Sequence, residues 1–190
     1  DLTHDPIVIG AQIVTALQTV VAREIDPIES AVCTVGAFIA GEAANVIPDT
    51  AILRGTLRSF KPEVRVHLAE AVERIITNVA TSMRATVDYD YAPGYPPTVN
   101  DDAMTEMVLG IAREVVGEEN VRVPPAMMGA EDFSYFLEQK PGCFYFVGSA
   151  NEDRGLTWGH HHPRFDIDEE SMIYGMDVMI RTVLTYLGDE

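Results

Sequence analysis

A two-part α/β fold is predicted by three observations. Apolar residues recur at helical spacing in two early stretches that flank two runs of β-formers. Ala92-Pro-Gly-Tyr-Pro-Pro97 is the densest Pro/Gly stretch in the chain and marks a boundary, giving parts 1–92 and 93–190. Beyond it, short helical and strand-like segments alternate, as in a layered sheet domain.

In the first part, Asp5-Pro6 opens a helix, because Asp can cap and Pro suits the first turn; Ile9, Ile13, Leu17, Val20 and Val21 carry it to about Arg23. The β-formers of 31–40 and 51–60 predict two antiparallel strands, joined by a long connection, Gly41 to Asp49, with turn residues at both ends. Pro62 opens a second helix with a stripe of Val64, Leu68, Val72, Ile75 and Val79; His67 lies beside the stripe and is expected to be exposed. Arg84 to Tyr91 reads as a strand. The order helix, strand, strand, helix, strand is a ferredoxin-like sandwich without its first strand. The start at Asp1, without Met and directly on a helix opening, leads to the expectation that the chain is cut at its N-terminus.

In the second part, Met104, Val108, Ile111 and Val115 mark a helix, 121–123 a short strand, 131–138 a short helix, 143–147 a buried strand and 172–187 a final helix. The Met residues are expected to fill the core. With few strands of its own, this part reads as half of a sheet domain whose remainder comes from upstream or from a partner.

A net charge of −17, from 30 acidic against 13 basic residues without a Lys/Arg cluster, disfavours nucleic acid and makes each arginine a possible local anion donor. Cys33 and Cys143 sit in apolar runs and read as inert core thiols; two cysteines make no disulfide framework. No secretory signal or membrane span is read, so a reducing, cytoplasmic setting is the expectation.

The segment Trp158 to Glu169 contains three of the five histidines, between a strand-like run and a helix start. Imidazole suits zinc and its neighbours, and a turn of fixed geometry suits a ligand. If extended, the triplet puts His160 and His162 on one face and His161 on the other, so the three do not share one ion. Taken alone, the triplet is equally readable as a solvated turn.

Four segments in order, Asn45 to Asp49, Gly55 to Phe60, Met128 to Phe133 followed by Pro141-Gly142, and His161 to Glu169, resemble the metal-dependent amidohydrolases that include hippurate hydrolase, N-acyl-amino-acid amidohydrolases and indole-acetyl-amino-acid hydrolases. The resemblance implies a ferredoxin-like α/β lid (dimerisation) domain in 1–92, followed by the C-terminal part of a phosphorylase/hydrolase-like α/β catalytic domain in 93–190. It implies hydrolysis of the amide of an N-acyl amino acid by a divalent metal pair of zinc, manganese, cobalt or nickel, in a homodimer formed through the lid. His161 is the implied metal ligand, Asn45 and Arg58 the implied substrate contacts, and Glu131, Gly129 and His162 the groups near the site. Simpler roles stand beside these: Asn45 stabilising its turn, Arg58 solvated, Glu131 supporting a helix start, Gly129 permitting a tight turn and Arg164 solvated. The family's general base and other ligands are expected upstream, so the chain alone is expected to be inactive. A non-catalytic dimerisation or small-ligand-binding module, and a related dipeptidase or deacetylase, are the alternatives.

Overall fold

The structure, a computed structural model, describes residues 3–188. It divides into two compact units: one of 1–97 with 128–130, the other of 98–127 with 131–190.

In the first unit, α1 (Pro6–Glu24) starts where the Asp5 carboxylate accepts the amides of Ile7 (2.9 Å) and Val8 (3.4 Å), with Pro6 in the first turn. Strands β1 (Ala31–Ile39) and β2 (Ile52–Ser59) pair antiparallel, with Cys33 opposite Leu57. Helix α2 (Pro62–Ser82) follows, and both helices lie against the pair, α1 on β1 and α2 on β2. Ile9, Ile13, Leu17 and Val20 of α1 and Leu68, Ala71, Val72, Ile75, Ile76 and Ala80 of α2 are buried. Val21, Val64 and Val79 pack against this core while partly exposed, so both predicted stripes face inward. Arg74 grips the Glu24 carboxylate at 2.6 and 2.7 Å, tying α2 to the end of α1; His67 is exposed, as expected.

Two glycines shape the sheet. The register slips between Val35 and Ala37, and this bulge at Gly36 puts Phe38 opposite Leu53, whose side chain points to the helices. The Phe38 ring consequently sits on α1 so closely that a Cβ at Gly10 would meet it at 2.6 Å. Gly55 lets the strands close, because a Cβ there would lie 2.3 Å from the Thr34 carbonyl oxygen.

By length and composition α1 is apolar enough to cross a membrane, contrary to the reading that no segment is; its Ile9, Ile13, Leu17 and Val20 face is nevertheless built into the core. The predicted strand over 84–91 does not form. Arg84, at φ 60, ends α2 in the left-handed conformation usual for glycine, and the Ala85 amide reaches back to the Ala80 carbonyl at 2.9 Å. Ala85 and Tyr89 pack on the core, but among the described residues no strand pairs with this segment. In a ferredoxin-like order the last strand pairs with the first, and the described residues contain no such strand.

In the second unit, α3 (Asp102–Val116) is capped by the Asp101 carboxylate, which accepts the Met104 amide at 2.9 Å. A 3-10 turn (Glu118–Asn120), α4 (Ser134–Leu137) and α5 (Ser171–Leu187) follow. Val108, Ile111 and Val178 form the core between α3 and α5. The strands expected over 121–123 and 143–147 are absent. Segment 143–147 finds its hydrogen bonds elsewhere: the Asn100 amide group donates to the Phe144 carbonyl (2.9 Å) and accepts its N–H (2.8 Å), taking the place of a neighbouring strand. Tyr145 donates to the Gly175 carbonyl at 2.9 Å, while Phe146 is 68% exposed rather than buried. Met172, Met176 and Met179 are exposed on α5, not in the core.

Replacing Gly55 by Ala is expected to destabilise the first unit by about 1–3 kcal/mol through overpacking against fixed backbone. Gly129→Ala, whose added Cβ meets nothing within 4 Å, serves as the control and should stay within about 0.5 kcal/mol. Urea unfolding of both variants measures the difference; equal stabilities would contradict the assigned strand contact.

Candidate functional site

The histidine segment hangs from a braced loop in the second unit. Asn151 and Leu156 bridge in antiparallel fashion, and the Asp168 amide donates to the Ser149 carbonyl at 2.9 Å. The Asp168 carboxylate then collects three donors: the Asn151 side-chain amide, Arg154 at 2.8 Å and the Glu170 amide at 3.2 Å. These bonds, with Asn151 first, hold its pKa below the ordinary 3.8.

Between these anchors the chain turns twice. The His162 amide closes the first turn on the Gly159 carbonyl at 3.2 Å, and the Phe165 amide closes the second on the His162 carbonyl at 2.9 Å. The alternation argument for the triplet therefore fails, because His160 and His161 are the central residues of a turn and not part of a strand. His161 has φ 68 at the second central position, where a turn of type II ordinarily takes Gly or Asn. A non-glycine residue held there costs on the order of 1–3 kcal/mol, and such outliers gather at functional sites. The His161 side chain is exposed and, among the described residues, makes no hydrogen bond or ion pair.

Its neighbours are engaged. His162 stacks on Trp158 with ring centroids 4.0 Å apart and planes 10° from parallel. Its Nδ1 accepts the Arg164 amide at 3.0 Å, which leaves the proton of a neutral ring on Nε2. His160 lies against the Phe165 ring at 4.6 Å, and the Arg164 guanidinium sits 5.5 Å from the centre of the Trp158 ring rather than simply in solvent. Sequence reasoning passed over Trp158 as a working residue.

Asn45 occupies an exposed turn closed by the Val46 amide on the Ala43 carbonyl at 3.3 Å, and its side chain makes no hydrogen bond among the described residues. Arg58 stands opposite Val32 on the sheet face away from the helices and donates to the carbonyl of Met128, a residue of the same unit. Gly129 has an ordinary φ and open space around it, so no tight turn demands glycine there. Glu131 is engaged in the turn that leads into α4: its carboxylate accepts the Phe133 amide at 3.2 Å, and its carbonyl accepts the hydroxyl of buried Ser134 at 2.7 Å. Asn45 and Arg58 thus lie in the first unit with Gly129, and Glu131, His161 and His162 in the second. Among the described residues no three His, Cys, Asp or Glu side chains converge as a metal cage. Within the histidine triplet, the exposed imidazole free of hydrogen bonds and ring contacts is that of His161.

The sequence matches the model of peptidase family M20/M25/M40 over residues 5–185. The chain belongs to this family. YhaA of Bacillus subtilis strain 168, which is named as an amidohydrolase, is 40% identical over 184 residues, covering 97% of this chain and 46% of YhaA. The IAA-amino acid hydrolase ILR1-like 4 of Arabidopsis thaliana is 37% identical over 189 residues, covering 97% of this chain and 43% of that protein. Among solved structures, the M20 member YXEP of Bacillus subtilis, described as a dinuclear metal-binding peptidase, superposes with a TM-score of 0.69 at 28% identity, covering 98% of this chain and 47% of YXEP. The chain spans about half the length of the relatives it matches. The M20 relationship agrees with the α/β reading of both units.

The depressed Asp168 pKa contributes stability that is present above the ordinary value of 3.8 and lost as pH falls through the lower folded value. The stability gap between the wild type and Asp168→Asn should therefore close on acidification below that value. Denaturant unfolding across pH 2–6 (a window of about four units around the carboxylate range) tests this, and a gap unchanged at the acid end would contradict the assigned bonds.

Proposed function

We propose that this chain forms part of a metal-dependent amidohydrolase that cleaves the amide bond of N-acyl amino acids, with His161 as one metal ligand. The observation that carries the reading is the exposed His161 imidazole, held at φ 68 inside a segment matched by the M20 family. A bound pair of divalent ions would polarise the scissile carbonyl and lower the pKa of a water molecule. His161 presents a ring nitrogen to one of them, and the braced loop behind it limits the ring's wandering. Zinc, manganese, cobalt or nickel is compatible with one imidazole. The remaining ligands and the general base come from outside the described residues, so the isolated chain is inactive.

Arg58 grips the carboxylate of the substrate. One of its five N–H donors is committed to the Met128 carbonyl, and the planar fork retains others for an anion. Asn45, exposed and uncommitted, donates its amide to the substrate's carbonyl oxygen. Glu131, Gly129 and His162 lie around the reacting groups rather than among them. The name of the Arabidopsis relative, an IAA-amino acid hydrolase, supports an acylated amino acid as the substrate class. We further assign 1–92 as the lid domain through which a homodimer forms, 93–190 as the C-terminal part of the catalytic domain, and a reducing cytoplasmic setting, which suits two free thiols. A peptidase acting on dipeptides is the second reading, favoured by the description of YXEP as a peptidase.

In a protein of the relatives' full length, His161→Ala is expected to lower turnover at least about 100-fold together with metal content while the fold survives. Unchanged metal content would contradict the ligand role. Arg58→Ala should raise KM about tenfold or more for substrates with a free carboxylate, the value of a charge-assisted hydrogen bond, and leave a carboxamide analogue unaffected. Equal losses on both substrates would argue against the clamp, and a preference for dipeptides over acylated amino acids would favour the peptidase.

A further inference from the structure

We propose that Trp158 is a positioning residue for His161, acting through His162. The inference rests on the reading of His161 as a metal ligand. The turn that carries His161 begins at Gly159 and ends at His162, so Trp158 immediately precedes it and His162 closes it. Their rings lie face to face at 4.0 Å and 10°, closing the turn from outside its backbone. This contact is independent of the backbone bond between the His162 amide and the Gly159 carbonyl, and the two together hold the chain ends at the spacing the turn requires.

The His162 ring cannot swing away cheaply. Its Nδ1 is fixed by the Arg164 amide at 3.0 Å, Pro163 sets the backbone between them, and the Arg164 guanidinium lies 5.5 Å from the Trp158 ring. All the side-chain contacts of the turn therefore fall on residues beside His161, while His161 itself is left exposed in a backbone conformation that is uncommon outside glycine. A conformation of that kind persists only where the surroundings over-determine it. Here the surroundings are the Trp158–His162 stack. Without the stack, His161 is free to relax to negative φ, and its ring leaves the direction in which it meets an ion.

Trp158 is 43% exposed, so its replacement removes the stack without opening a core. The test uses the full-length protein and zinc alone, comparing wild type with Trp158→Ala, Trp158→Leu, Trp158→Phe and His161→Ala. Zinc affinity should fall about tenfold in Trp158→Ala and Trp158→Leu, at the lower end of what the loss of an orienting partner costs, and return towards wild type in Trp158→Phe, which keeps an aromatic face. Amide hydrogen exchange at His162, measured on zinc-free protein, should quicken in the Ala and Leu variants and not in the Phe variant. A structural filler would be replaced equally well by Leu, so wild-type affinity and exchange in Trp158→Leu overturn the proposal. If His161→Ala weakens zinc and Trp158→Ala changes neither readout, positioning is overturned and the ligand reading stands. If His161→Ala itself leaves zinc affinity unchanged, the ligand reading falls and the proposal with it.

Discussion

The first unit depends on the burial of one face of a two-stranded sheet. A pair of strands alone is marginal in water, and β1–β2 acquires stability from the apolar faces that α1 and α2 lay across it. That requirement explains the glycines. Gly55 allows the strands to approach, the bulge at Gly36 redirects Phe38 towards the helices, and Gly10 leaves room on α1 for the ring. The opposite face of the sheet is consequently free to carry Arg58, whose guanidinium points away from the core and towards the Met128 carbonyl.

Helices and the hairpin were legible because their signals are local. Asp5-Pro6 marks a helix start by capping and Pro62 by proline in the first turn, and the periodic residues of α1 and α2, with Val108, Ile111 and Val115 of α3, are ones that the structure buries or packs against its cores. Three predicted strands failed for a different reason. A strand is defined by its partner, and the β-formers of 84–91, 121–123 and 143–147 meet none among the described residues. Tyr89 still packs inward and Phe144 still has both backbone groups satisfied, by Asn100, so composition correctly marked apolar segments and misjudged what they bond to. The methionines of α5 show the same limit: periodicity identifies an apolar helix but not whether anything covers it.

At the candidate site the motif was legible and the geometry was not. The His-His-Pro run was singled out from sequence and a turn was among its readings, yet the alternation argument held only for an extended segment and did not foresee the left-handed backbone of His161. Pro163 and Gly159 signalled a turn at that place, but nothing local identifies a histidine in a glycine's position. The contact between Trp158 and His162 lies four residues apart in a non-helical segment, where no periodicity rule applies. Glu131 illustrates another case, since the carboxylate that the family resemblance places near the metal accepts the Phe133 amide in the turn just before α4.

Anomalous diffraction from crystals of the full-length protein grown with zinc, collected at the zinc edge, would test the central claim most directly. The account predicts a zinc peak about 2.0–2.1 Å from a ring nitrogen of His161, the usual zinc–imidazole distance. Bound zinc held entirely by other side chains, with the His161 ring turned away into solvent, would contradict it.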